Sequence, residues 1–187
     1  MKKIWIILGV VVLVLLIFVG SCVSRYNSLV TSQEDIEQKW GQVQNVLKRR
    51  ADLIPNLVNI VKGYATHEKE IFEEVANARS RLLGAQTPAS AAQADAGMSA
   101  ALGRLLAISE SYPELKANQN FTQLQDELAG TENRIAVERK RYNDAVGVFN
   151  KKIRTFPNSV LAGFANLEKH QYFEADAKDQ QVPEVKF

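Results

Sequence analysis

An all-α fold is predicted for this 187-residue chain: an antiparallel bundle of four long helices preceded by an N-terminal transmembrane helix. Three observations carry the prediction. Residues 4–24 contain no charged side chain. Beyond Arg25, apolar residues recur at helical spacing in four successive stripes. No segment alternates with the two-residue period of a half-buried strand.

The apolar run, with Ile4, Trp5, Leu8, Val12, Leu16 and Phe18 along it, is the membrane anchor. At 1.5 Å per residue, Ile4 to Val23 spans about 30 Å, the hydrocarbon thickness of a bilayer. Its length exceeds the apolar core of a cleavable signal and favours an uncleaved, single-pass anchor. A second reading stays open. "VGSC" at 19–22 places small residues before the only cysteine, as in a lipoprotein signal, which would leave the chain lipidated at Cys22. Lys2 and Lys3 before the span predict a cytoplasmic N-terminus and a periplasmic or extracellular helical domain. The expected division is 1–25 anchor, 26–165 helical bundle and 166–187 extended tail.

The first stripe is Tyr26, Leu29, Ile36, Trp40, Val43 and Leu47. The second runs from Ile54 through Leu57, Val61, Ala65, Phe72 and Val75 to Leu82. Met98 to Leu115 carries the third and Phe121 to Phe156 the fourth. Between the first two, "RRADLIPNLV" reads as a helix–helix corner. Arg49 and Arg50 complement the dipole of an ending helix, Asp52 caps the next, and Pro55 with Asn56 falls in its first turn. Gly84 and "TP" at 87–88 separate helices two and three, with the third starting near Ala91. Tyr112–Pro113 ends or kinks the third, and "FPN" at 156–158 stops the fourth.

The chain has 23 basic and 21 acidic residues, and Lys2 and Lys3 account for the difference. A neutral domain excludes nucleic acid as a partner, since that binding requires a basic excess. "HEKEI" at 67–71 begins like a zinc-protease motif, but Ile71 stands where the second histidine belongs. Two histidines and one cysteine supply too few ligands for a zinc centre, and no nucleophile elbow or phosphate-binding glycine loop occurs, so neither enzyme activity nor a cofactor is expected. Extending the stripes places Gln33, Glu68 and Glu138 on core-facing positions, with Arg134 one turn away. That set is the candidate polar layer fixing helix register. Phe156, Val160, Leu161 and Phe164 follow the descending fourth helix and are the candidate membrane-surface contact.

"YNSLV", "RRADLIPNLVNIVKGYATHEKE", "NARSRL", "YPELKANQNF", "LQDELAGTENRIAVERKRYNDAV", "NKKIRTFPNSVLAGF" and "VPEVKF" occur in order from Tyr26 to Phe187. Together they resemble the LemA family. The resemblance implies a membrane segment followed by an antiparallel four-helix bundle, and no established enzymatic activity. It also implies a role at membranes, since a magnetosome-associated branch is linked to membrane invagination and some relatives are encoded near membrane proteases or phosphatase-like proteins. The chain departs from many relatives after "FPNSVLAGF", where Ala165–Asn166 replaces a second aromatic cluster. The expected function is a membrane-anchored, self-associating scaffold that contacts lipids and other copies of itself. The alternative is a monomeric or small-oligomer adaptor presenting Arg49–Asn56 or Val182–Phe187 to an envelope protease or another envelope membrane protein.

Overall fold

The structure, a computed structural model, describes residues 2–174. Among these residues regular structure is entirely helical. It comprises α1 (Lys2–Lys62), α2 (Lys69–Gly84), α3 (Pro88–Ile108), a single 3-10 turn at Ser109–Ser111, α4 (Pro113–Lys116), α5 (Gln119–Lys152) and α6 (Asn158–Phe164). The chain divides into two compact units. The first takes its described residues from 2–38 and 144–170, and the second from 39–143 and 171–174.

In the second unit the helices are held by buried apolar side chains at seven-residue intervals. On α1 these are Val43 and Leu57, interleaved with Leu47, Ile54 and Val61; on α5 they are Phe121, Leu128, Ile135 and Tyr142. Trp40 packs at a tilt against Tyr142 with centroids 5.5 Å apart, and Tyr64 Oη accepts a hydrogen bond from Asn118 Nδ2 at 3.0 Å. From Trp40–Tyr142 on the helices to Tyr64–Asn118 just beyond the end of α1 and before the start of α5, partner numbers fall on one side as they rise on the other, so the two helices run in opposite directions here. Phe72, Val75, Ala78 and Leu82 of α2 and Met98, Ala101, Leu102 and Leu105 of α3 complete the core. Burial of each large apolar side chain contributes about 1.5–3 kcal/mol.

The corner expected at 49–56 is not there. α1 continues through Pro55 to Lys62, and the chain turns at 63–68. Two features explain this. An interior proline costs about 3 kcal/mol, but ending the helix there would strand Ile54, Leu57 and Val61, each at most 1 % exposed. Pro55 also lacks the N–H that would bond the Ala51 carbonyl, and Arg79 Nε from α2 donates to that oxygen at 2.8 Å instead. The proline itself lies on the exposed face.

Gly84 ends α2 as expected, but α3 begins at Pro88, three residues earlier than its alanine-rich sequence suggests. Thr87 and Ser90 form a reciprocal cap, each side chain accepting from the other's backbone N–H. Past α6, Asn166 adopts φ 51°, and the N–H groups of Asn166 and Leu167 bond to the carbonyls of Gly163 and Ala162. This left-handed cap is one that asparagine tolerates.

Two asparagines of α5 dock the extended chain beyond α6. In the first unit Asn150 accepts from the His170 N–H and donates to its carbonyl, both at 3.0 Å. In the second unit Asn143 does the same to Phe173, at 2.8 and 3.1 Å. Tyr142 Oη donates to the Gln171 carbonyl, and burial pushes its phenol up to about 12. The tail expected over 166–187 is followed only to Glu174; Val182–Phe187 lies outside the described residues.

Candidate membrane interface and buried ion cluster

The first unit contains one helical segment long and apolar enough to cross a membrane. Its most apolar 18-residue window has a mean hydropathy of 3.2, and none of it is buried. Ile4, Trp5, Leu8, Val12, Leu16 and Phe18 are all exposed along it, and Cys22 is half-buried near its end. Beyond the span, Leu29 and Ile36 are buried, as are Val146, Phe149 and Ile153 of the returning α5 and Ala162 of α6. Lys152 Nζ donates to Ser32 Oγ at 2.7 Å, and Arg25 Nη1 to Asn158 Oδ1 at 3.5 Å.

These bonds bring α6 beside Arg25, two residues past the apolar run. There Phe156 is 84 % exposed, Val160 50 % and Phe164 85 %, while Leu161 is half-buried. The short helix buries only Ala162 and turns Phe164 outward, and Phe156 in the turn before it is exposed too. Exposing two aromatic rings next to an exposed apolar helix is unfavourable in water and favourable at a lipid surface.

The second unit holds a buried charge. Arg50 occupies the seven-residue repeat between Val43 and Leu57 and is 2 % exposed. Its Nη1 donates to Asp95 Oδ1 at 2.7 Å, its Nη2 to Ser99 Oγ at 3.0 Å, and Glu132 Oε2 lies 3.7 Å away. Asp95 and Ser99 stand one turn apart on α3 and fork the guanidinium. Asp95 is the one acidic residue of that helix, set among small residues that leave room for a long side chain. Burial pushes the Asp95 carboxyl above its usual range; Arg50 opposes this, Glu132 adds to it and Arg139 opposes it. Arg50 Nε has no acceptor among the described residues.

None of Gln33, Glu68, Arg134 and Glu138, the residues expected in a polar layer, is fully buried. Gln33 is half-buried in the first unit, and Arg134 is exposed in the second. Glu68 is half-buried as the N-cap residue of α2, and Glu138 takes a 2.7 Å bond from Arg141 on its own helix. The buried polar contact belongs instead to Arg50, a residue expected at an exposed corner. The usable signal was the seven-residue spacing Val43, Arg50, Leu57, which places a charge in line with core residues. Of the remaining corner residues, Asp52 lies 3.9 Å from Arg79, Asn56 is exposed, and Arg49 lines a surface groove of about 360 Å³ together with Arg134, Gln123 and Asp126. Among the described residues no three His, Cys, Asp or Glu side chains gather to hold a metal.

The LemA family model matches residues 39–187. The chain is 29 % identical over 189 residues to Magnetosome protein MamQ 2 of Paramagnetospirillum magneticum, covering 87 % of this chain and 70 % of that protein. It is 29 % identical over 192 residues to Magnetosome protein MamQ of Magnetospirillum gryphiswaldense, covering 89 % and 71 %. Protein LemA of Metamycoplasma hominis is 28 % identical over 160 residues, covering 85 % and 73 %.

Proposed function

The chain belongs to the LemA family, and from that premise we propose that it is a membrane-anchored helical scaffold whose protomers associate side by side. Its role in this reading is to organise or shape a bacterial envelope membrane. The observation that carries the proposal is the pair of exposed apolar surfaces in one unit, the span and the α6 patch. A single helix leaves a domain free to swivel over the bilayer. A second contact beside Arg25 holds it in one orientation, which regular lateral packing requires.

Four helices in antiparallel order form the projecting domain, and the residues meeting around Arg50 from α1, α3 and α5 support that arrangement. The helix runs unbroken from the apolar span into Leu29 and Ile36, which favours an uncleaved anchor over cleavage before Cys22, and Lys2 and Lys3 before the span favour a cytoplasmic N-terminus. Two of the relatives are magnetosome proteins, in keeping with a role at a membrane. The adaptor reading places its partner surface at Arg49–Asn56 or at Val182–Phe187; the first stretch is the middle of α1 with Arg50 and Ile54 buried, and the second lies outside the described residues.

The test is a native mass spectrum of the full-length protein released from membranes. Large discrete assemblies of uncleaved chains are expected. A uniform monomer overturns the scaffold, and a chain shortened to Cys22 with added lipid mass overturns the transmembrane anchor.

A further inference from the structure

We infer that the α6 surface binds the headgroups of acidic phospholipids, through Arg25, Lys151, Lys152 and Arg154 flanking Phe156 and Phe164. The inference rests on the second membrane contact proposed above and specifies its chemistry.

Charge is sorted sharply in the first unit. Residues 25–33 and 145–167 contain those four basic side chains and no aspartate or glutamate. The acidic residues Glu34, Asp35, Glu37, Asp144 and Glu168 all fall outside. Among the described residues, two of these basic groups are held by neutral partners. Lys152 Nζ bonds the hydroxyls of Ser32 and Ser28, at 2.7 and 3.4 Å, and Arg25 bonds the amide oxygen of Asn158. Lys151 and Arg154 are exposed. Hydroxyl and amide partners orient a cation while leaving its charge available to a phosphodiester.

Depth fits as well. If Ile4 to Val23 fills the hydrocarbon, Arg25 lies about 3 Å beyond it and Ser28 about 7 Å, within a headgroup layer roughly 5–8 Å thick. Lys152 bridges Ser28 and Ser32, about 7–13 Å beyond the hydrocarbon and so at the outer edge of that layer, and Arg154 is two residues from Phe156. Two aromatic rings to enter the acyl boundary and four cations at the phosphates make an amphipathic contact. Each Lys or Arg at an anionic surface strengthens attachment about fivefold, so neutral lipid engages only part of this surface.

The experiment uses the full chain with Trp5→Phe and Phe164→Trp, reconstituted into vesicles containing brominated lipid. One set is phosphatidylcholine alone and the other is phosphatidylcholine mixed with phosphatidylglycerol. The Trp5→Phe chain, retaining Trp40, supplies the background. Quenching of the residue-164 fluorophore is expected to rise about twofold with phosphatidylglycerol, to fall at high salt, and to lose the rise in Lys151→Gln/Arg154→Gln, which alters only exposed side chains. Equal quenching in both vesicles, insensitive to these substitutions, overturns acidic-lipid recognition and leaves the membrane contact standing. Absence of quenching in both overturns the membrane contact itself.

Discussion

The unit built on 39–143 takes a guanidinium out of water, whereas the unit built on 2–38 and 144–170 leaves the apolar side chains of its span and of the α6 patch uncovered. Arg50 is 2 % exposed and Phe164 85 %. Both reverse the ordinary sorting of residues in a soluble protein, for different reasons. A charge is tolerated inside when partners replace its water, as Asp95 and Ser99 do. An apolar ring is tolerated outside when its surroundings are themselves apolar, as the neighbouring span implies. Burial alone therefore does not rank the importance of a residue; the medium it faces does.

The comparison breaks most visibly at Arg50. Arg50→Ala leaves Asp95 half-enclosed without its cation and is expected to destabilise the protein by about 3–5 kcal/mol in denaturant melts. A loss under about 1 kcal/mol means the cluster is wetter than its geometry indicates. Arg79→Ala, which leaves the Ala51 carbonyl without a donor, is expected to cost about 1–3 kcal/mol. The same change made in a Pro55→Ala chain should cost clearly less, because the substituted alanine supplies the missing N–H. Equal costs in the two backgrounds remove the link between Pro55 and Arg79.

Asp95 sharpens the contrast through pH. Its folded carboxyl holds a proton more tightly than the unfolded value of 3.8, so its contribution is fully present below that value and declines as pH rises through the folded one. Relative to Asp95→Asn, the wild type should lose stability over that interval; a flat or rising difference contradicts the assignment. The smallest effect belongs to the other unit. Phe156→Ser with Phe164→Ser should change stability in detergent by no more than about 0.5 kcal/mol, since neither ring is packed. A large loss places both rings in an interior.

Helical class, the apolar span and the ends at Gly84 and Tyr112–Pro113 were legible, because each rests on local chemistry: periodicity, glycine, proline. The extent of α1 was not. A local rule stopped the helix near Pro55, while burial of Ile54, Leu57 and Val61 and a donor from Arg79, distant in sequence, keep it going. The ion cluster was hidden for a related reason. Spacing identifies a position as inward-facing, but the carboxylate that makes Arg50 tolerable lies in an alanine-rich stretch whose start resembled a loop. Phe156, Val160 and Phe164 were readable as a cluster, and their exposure follows from a helix too short to bury more than Ala162.

Asn143 and Asn150 grip the main chain of Phe173 and His170, and Tyr142 reaches the carbonyl of Gln171. Peptide groups are the same whatever side chains they carry. The docked segment can therefore drift in spelling at Lys169, Gln171 and Tyr172 while keeping its seat, leaving the burden of identity on two asparagines and one buried phenylalanine.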